Sequence, residues 1–212
     1  MEKLDYKKAF KELYSPKTIP SAIEVPEMKF IQVDGRGDPN EPDGDYQKAI
    51  ELLYALTFTI KMSPKSGVAL DGYFEYVVPP LEGLWWLADD SEPDFADKSK
   101  YFWTSMIRQP EFVTDEIFEY AVQTIRAKKP HIDVSKARFV TFTEGLCVQC
   151  MHIGSYDDEP ATIAQMKDYM EKNGFASDLS AARRHHEIYL SDPRRVEASR
   201  RKTVLRYPVK KL

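Results

Sequence analysis

Runs of alternating or periodic apolar positions divide this chain into two blocks with the same internal order. Met28-Lys29-Phe30-Ile31-Gln32-Val33 predicts a strand, closed by Asp34-Gly35-Arg36-Gly37-Asp38-Pro39. The glycines there suit a turn or a close backbone approach, but Gly35-Arg36-Gly37 is far short of a dinucleotide fingerprint. Ala49, Leu52, Leu53, Leu56 and Ile60 then form a helical stripe that begins near Asp43 or Asp45, with Asp45 suited to the N-cap. Two strands follow, Gly72–Val78 ended by Pro79-Pro80, and Gly83–Ala88. An acidic loop spans 89–100, and Tyr101–Arg108 reads as a further β segment stopped at Pro110.

A helix over Thr114–Lys128 carries Ile117, Phe118, Ala121, Val122 and Ile125 on one side, and Lys129-Pro130 closes it. The second block begins with a strand at Gly145–Gly154, a turn at Ser155–Pro160, and a helix striped by Ile163, Met166, Tyr169 and Met170. Asn173-Gly174 caps that helix. Strands at His186–Leu190 and Thr203–Tyr207 complete the block, the last ended by Pro208.

The expected fold class is therefore α+β. Two strand-helix-strand-strand modules, about 28–110 and 139–208, are linked by the helix at 114–128. Pro16, Pro20 and Pro26 set off residues 1–27 as an N-terminal arm packed on a single domain over 28–212. One module alone is too small to cover its sheet. Pairing two about an approximate two-fold axis makes a curved antiparallel sheet, with helices on one face and a ligand groove at the junction.

Composition narrows the function. The 212 residues are 42% hydrophobic and 30% charged, with a net charge of −4, which argues against direct nucleic-acid binding. No apolar run approaches the ~18 residues of a membrane span, and no signal-peptide core follows Met1, so a cytoplasmic protein without membrane contact is expected. Twelve tyrosines and three tryptophans are enough to line a pocket for a flat organic molecule as well as a core. Such a hydrophobic aromatic small molecule is the expected partner, taken by a monomer or weak homodimer.

Candidate chemistry centres on His185-His186-Glu187-Ile188-Tyr189-Leu190. Side chains two apart on a strand share a face, so Glu187 and Tyr189 point together, opposite Ile188 and Leu190. A wetted edge strand with Glu187 paired to an arginine such as Arg194 is the competing reading. Trp85 and Trp86 are adjacent and cannot both face the groove, and Trp86 is favoured for it. Tyr101 and Trp103 share a face and suit the opposing wall. Cys147 and Cys150, three apart on a strand, point to opposite faces, which defeats both chelation and a disulfide. A metal set would need His152 to meet His185 and Glu187 across strands, while His186 diverges from His185. No metal site is expected.

Four runs carry a family resemblance: Pro80–Trp86, Trp103–Pro110, Met151–Pro160 and His186–Arg195. In that order they resemble the GyrI-like small-molecule-binding domain. The resemblance implies the doubled fold with a groove between its halves. Many relatives are ligand-sensing halves of transcription regulators, and 27 leading residues are too few for their DNA-binding domain. The doubled tryptophan and the Glu-x-Tyr run are similar to those of stand-alone cyclopropanoid cyclopropyl hydrolases. These relatives detoxify DNA-alkylating compounds of the yatakemycin class by adding water to a strained ring, and they need no cofactor. On that resemblance Glu187 is the proton acceptor, favoured by an apolar surround. Tyr189 is the donor to the substrate carbonyl, and Trp86, Tyr101, Trp103 and Tyr156 hold the ligand. Sequestration of hydrophobic or cationic drugs without turnover is the alternative.

Overall fold

The computed structural model describes residues 3–89 and 97–212, so the acidic loop expected over 89–100 falls mostly outside the described residues. Two short helices, α1 (Tyr6–Ala9) and α2 (Lys11–Tyr14), lead into β1 (Ser21–Arg36), α3 (Asp45–Lys61), β2 (Leu81–Trp86) and β3 (Phe102–Arg108). After α4 (Asp115–Lys128), the order is taken up again by β4 (Ala137–Ile153), α5 (Glu159–Lys172), β6 (His185–Tyr189) and β7 (Lys202–Lys211). A three-residue β5 (Phe175–Ser177) is inserted before β6.

The strands lie in the order β4-β1-β3-β2-β6-β7-β5, and β4 pairs with β7 as well, so the sheet closes on itself. Every pairing is antiparallel. Closure rests on the length of β4. Its residues from Ala137 to Gln149 pair with β1, and those from Cys147 to Ile153 pair with β7. Closure leaves unpaired sides at the margins, among them the start of β1 and β5.

Alternation along each strand sorts the core into an inner and an outer part. Phe30, Leu84, Met106, Cys147, Ile188 and Val204 face inward, where Tyr6, Leu13 and Tyr14 of the N-terminal helices close over them. On the outer face Ile31, Val33, Trp85, Trp103 and Ile107 pack under α3 and α4. Val148, Cys150, Leu205 and Tyr207 pack under α5. Cys147 and Cys150 therefore lie in different clusters, both as free thiols. Among the described residues, no helix is long and apolar enough to cross a membrane.

Several boundaries differ from expectation. The strand expected at Met28 opens at Ser21 and runs through Pro26, because β3 joins only at Phe30 and β1 has β4 alone beside it there. A proline is tolerated where one side of a strand has no ladder to complete. Asp45 is the first residue of α3, and Gly44, not Asp45, is its N-cap. Residues 72–78 form no strand beyond a single bridge from Tyr76 to Leu4. Their rings instead pack on Phe112, with centroids 5.4 Å away for both Tyr73 and Phe74. The strand expected from Gly145 opens at Ala137. Pro208 lies inside β7, at the point where pairing passes from β4 to β5. Gly35 meets the expected close approach: a Cβ there would sit 2.2 Å from the Trp103 ring.

Candidate active site

β6 sends successive side chains to opposite sides of the sheet. His185, Glu187 and Tyr189 face outward, and His186 and Ile188 face into the barrel. Across the ladder Glu187 is paired with Gly83 of β2. That glycine leaves room for the Trp85 indole and the Tyr189 phenol to meet above it. A Cβ there would lie 2.7 Å from Trp85 Nε1 and 3.1 Å from the Tyr189 oxygen.

Glu187 is 8% exposed. Its Oε2 accepts a 2.8 Å hydrogen bond from the Tyr189 hydroxyl, and its Oε1 lies 3.1 Å from His185 Nε2. The Trp85 Nε1–H donates to the Tyr189 oxygen at 2.8 Å. Arg194 is not its partner, since that guanidinium is paired with Asp192 at 2.9 Å. The Tyr189 proton is directed at Glu187. Burial first, and the Glu187 charge second, raise the Tyr189 phenol well above its ordinary value.

Aromatic rings enclose this group. Tyr46 of α3 lies 5.4 Å from Trp85 and 5.0 Å from Trp103, centroid to centroid. Tyr101 is 5.7 Å from Trp85, and Tyr156 lies edge-on to Tyr189 at 5.9 Å. The structure thus brings Glu187, Tyr189, Tyr101, Trp103 and Tyr156 to one region. Trp86 is not among them. It stacks on Phe102 at 6.1 Å under the Arg184 guanidinium, and lines a separate cavity of about 530 Å³ with Leu84, Thr104 and Phe142. Trp85 holds the place expected of Trp86, because Gly83 and Trp85 share the outward phase of β2 with Glu187 opposite.

A second acid completes the cluster. Glu159, the first residue of α5, is 1% exposed, and its Oε1 has no hydrogen-bond partner among the described residues. Glu159, His185 and Glu187 offer ligand atoms that all lie within 4.8 Å of one another. Burial first, and Glu187 second, hold the Glu159 carboxyl well above the usual carboxylate range, although Lys98 pulls the other way. The positive end of α5 also favours the anion, but such an effect is worth only ~0.3–1 kcal/mol. Two buried carboxyls this close need either a shared proton or a cation between them. His152, expected as the third ligand of any metal set, is elsewhere: its ring nitrogens lie 2.9 Å from Thr162 Oγ1 and 2.9 Å from the Ser155 carbonyl.

The model of the GyrI-like small molecule binding domain matches residues 20–210. The chain belongs to this family. It is 48% identical to a protein from Listeria innocua described as a hydrolase, over 98% of this chain and 100% of that one, with a TM-score of 0.89. An uncharacterized conserved protein from the same organism is 49% identical over 98% and 100% of the two chains, with a TM-score of 0.92. The C-terminal domain of EcmrR shares the fold, with a TM-score of 0.53 at 12% identity over 91% of this chain and 98% of that one. No curated protein matches the chain.

In this GyrI-like chain the inner side of β6 holds a different polar group. His186 lies 3.0 Å from Glu144 through Nδ1 and 3.0 Å from Glu82 through Nε2. Arg206 Nη1 donates to Glu144 at 3.0 Å, and its other nitrogens bind Gln149 and the Leu13 carbonyl. Burial opposes the charge on His186, but the two glutamates outweigh it and lift the imidazole to about 9. Burial likewise opposes ionised Glu144, yet His186 and Arg206 hold it at about 2.

Reading the sequence missed Glu159, Tyr46 and this inner group, and of the two adjacent tryptophans it favoured Trp86 where Trp85 stands beside Glu187. Glu159 closes a run of three acids that reads as a turn, and only the packing of α5 on the sheet brings it to β6. Tyr46 sits in the first turn of α3 and leaves no mark in the helical stripe.

Proposed function

We propose that this protein hydrolyses the cyclopropane ring of planar cyclopropanoid DNA-alkylating compounds of the yatakemycin class, and so detoxifies them. The observation that carries the reading is a buried carboxylate, Glu187, held by Tyr189 and His185 inside a wall of aromatic rings. Likeness over nearly the whole chain to a protein described as a hydrolase supports it. We read the halves as related by an approximate two-fold axis, with the groove where β2 meets β6.

The chemistry follows from the arrangement. A flat dienone lies among Trp85, Tyr101, Trp103 and Tyr156. Glu187 takes a proton from water as the water oxygen attacks the exposed cyclopropane carbon. The ring bond breaks, and its electron pair restores an aromatic ring and turns the carbonyl into a phenolate. Tyr189 keeps Glu187 oriented through its 2.8 Å hydrogen bond. Restored aromaticity drives the reaction, so the protein need only position and polarise its reactants.

Incubation with a spirocyclopropyl dienone followed by mass spectrometry tests this. The expected product is heavier by one water, and Glu187→Gln slows its formation by about 10²–10⁴-fold. A compound recovered intact from a stable complex leaves the second reading, a non-catalytic binder of hydrophobic or cationic drugs. Two carboxyls among aromatic rings favour a cation as that guest.

A further inference from the structure

The outer cluster holds more acid than base. Glu159 and Glu187 are both buried, and the described neighbour between them is a single imidazole already turned to Glu187. Glu187 has a partner on each oxygen, whereas Glu159 Oε1 has none among the described residues. The one hydroxyl on β6 that touches the cluster, Tyr189, spends its proton on Glu187 and accepts from Trp85.

From this asymmetry we infer that Glu159 is the proton donor of the reaction: it carries the proton of the carboxyl pair and delivers it to the substrate oxygen that becomes a phenol. The inference rests on the hydrolytic reading above. It assigns the acid role to a residue on α5 and leaves Tyr189 as a positioning residue for Glu187.

The step balances without a co-reactant. Water loses a proton to Glu187 as its oxygen bonds to the cyclopropane carbon. The cleaved ring bond sends its electrons to the carbonyl, and the resulting phenolate takes the proton of Glu159. The pair then holds one proton, as before, but on the other carboxyl. Transfer from Glu187 to Glu159, whose ligand atoms lie within 4.8 Å of each other, resets the site.

The groups that face Glu159 make its pH dependence readable. Glu187, Tyr189 and His185 approach from β6, Asp157 and Tyr156 from the turn before α5, and Lys98 from the segment before β3, where it is paired with Asp157 at 2.7 Å. Among them Glu187 and Asp157 work to keep the proton on Glu159, and Lys98 works to remove it.

Glu159→Gln and Glu159→Asp, each checked for folding by circular dichroism, test the assignment on the full chain. In wild type, turnover of a spirocyclopropyl dienone falls on the alkaline side as the donor ionises. Glu159→Gln is expected to lower kcat by about 10²-fold or more, with KM little changed, and to abolish that alkaline limb. Glu159→Asp restores part of kcat and keeps the limb. Unchanged kcat in Glu159→Gln, or an alkaline limb that survives it, overturns the inference.

An infrared readout is independent of the substrate. The wild-type spectrum at neutral pH should contain the carbonyl band of a protonated carboxyl, which Glu159→Gln removes. A spectrum without that band overturns the inference, as does stoichiometric calorimetric binding of Mg²⁺, Mn²⁺ or Zn²⁺ that needs Glu159. If wild type converts no such compound, the hydrolytic reading falls, while the infrared band still decides where the proton resides.

Discussion

The two sides of β6 differ in how their charges are settled. Facing inward, His186 and Arg206 stand against Glu82 and Glu144, so two cationic groups meet two acids, with partners at about 3 Å throughout. Facing outward, Glu187 and Glu159 have His185 beside them, with Tyr189 bonded to Glu187 and the Lys98 charge acting on Glu159. Two buried atoms of this set, Glu159 Oε1 and His185 Nδ1, lack a hydrogen-bond partner among the described residues. The inner set is closed and holds the barrel together. The outer set is left unsatisfied, which costs stability and is tolerated where a ligand supplies the missing contacts. Burial alone does not separate a structural ion pair from a reactive one. The count of partners does.

The largest effect expected from this contrast is on stability. Arg206→Met leaves buried Glu144 with His186 alone and takes both donors from Gln149 Oε1, and should cost about 3–5 kcal/mol in urea unfolding. Glu187→Gln, one residue away from His186 in sequence, should change stability by less than about 1 kcal/mol, because it removes charge from a site already short of counter-charge. If both substitutions cost the same, the division into a holding side and a reacting side is wrong.

Next comes pH. Glu144 sits at about 2, below the ordinary 4.5, so its contribution is present above 4.5 and is lost as pH falls toward 2. His186 sits at about 9, above 6.5, so its contribution is complete below 6.5 and is lost as pH rises through 9. Taken alone, these two groups leave the unfolding free energy flat between about pH 4.5 and 6.5 and lower it on both flanks, by on the order of 3 kcal/mol on the alkaline one. The raised Glu159 carboxyl adds a fall that begins above pH 4.5. Glu144→Gln should flatten the acid flank in chemical denaturation followed across pH, whereas Glu187→Gln should leave that flank in place and lessen the fall that Glu159 adds above pH 4.5.

These contrasts also show what the sequence could reveal. The order strand-helix-strand-strand is visible in it because helical stripes such as Leu52, Leu53, Leu56 and Ile60 alternate with short β runs bounded by Pro and Gly. Strand ends are not visible, since they depend on neighbours. Pro26 reads as a stop but lies where β1 has one partner, and Pro208 lies where β7 changes partner. Tyr73-Phe74-Glu75-Tyr76 has β composition, yet it makes only the Tyr76–Leu4 bridge, and its rings pack on Phe112 instead. Glu187 and Tyr189 could be placed on one face by local alternation alone. Trp85 and Trp86 could not be told apart, because the phase of β2 relative to β6 is fixed by the Gly83–Glu187 pairing. Glu159 reaches the cluster only through the docking of α5, which leaves no local trace.

A smaller effect should come from the floor of the outer site. Gly83→Ala places a methyl 2.7 Å from Trp85 Nε1 and must push the indole off Tyr189. We expect roughly a tenfold loss of turnover, with a stability cost of about 1–3 kcal/mol from overpacking. Fluorescence of the displaced tryptophan and steady-state kinetics read the two effects separately. Loss of stability with unchanged turnover would mean that the Trp85–Tyr189 contact only packs.

The finest distinction lies between two tryptophans of the same wall. Trp85 Nε1 donates to Tyr189 at 2.8 Å, whereas Trp103 Nε1 is buried without a hydrogen-bond partner among the described residues. Replacing either by Phe removes similar ring area, so the two share most of their packing cost. Trp85→Phe additionally takes a donor from Tyr189, worth about 1 kcal/mol, while Trp103→Phe removes a donor that was unsatisfied. If Tyr189 positions Glu187, turnover should fall about fivefold further in Trp85→Phe than in Trp103→Phe, although Trp103→Phe is the change expected to unfold less readily. That opposite ordering of activity and stability would separate a hydrogen bond that orients the base from rings that only enclose it. Equal losses of turnover would assign the wall to ligand contact alone.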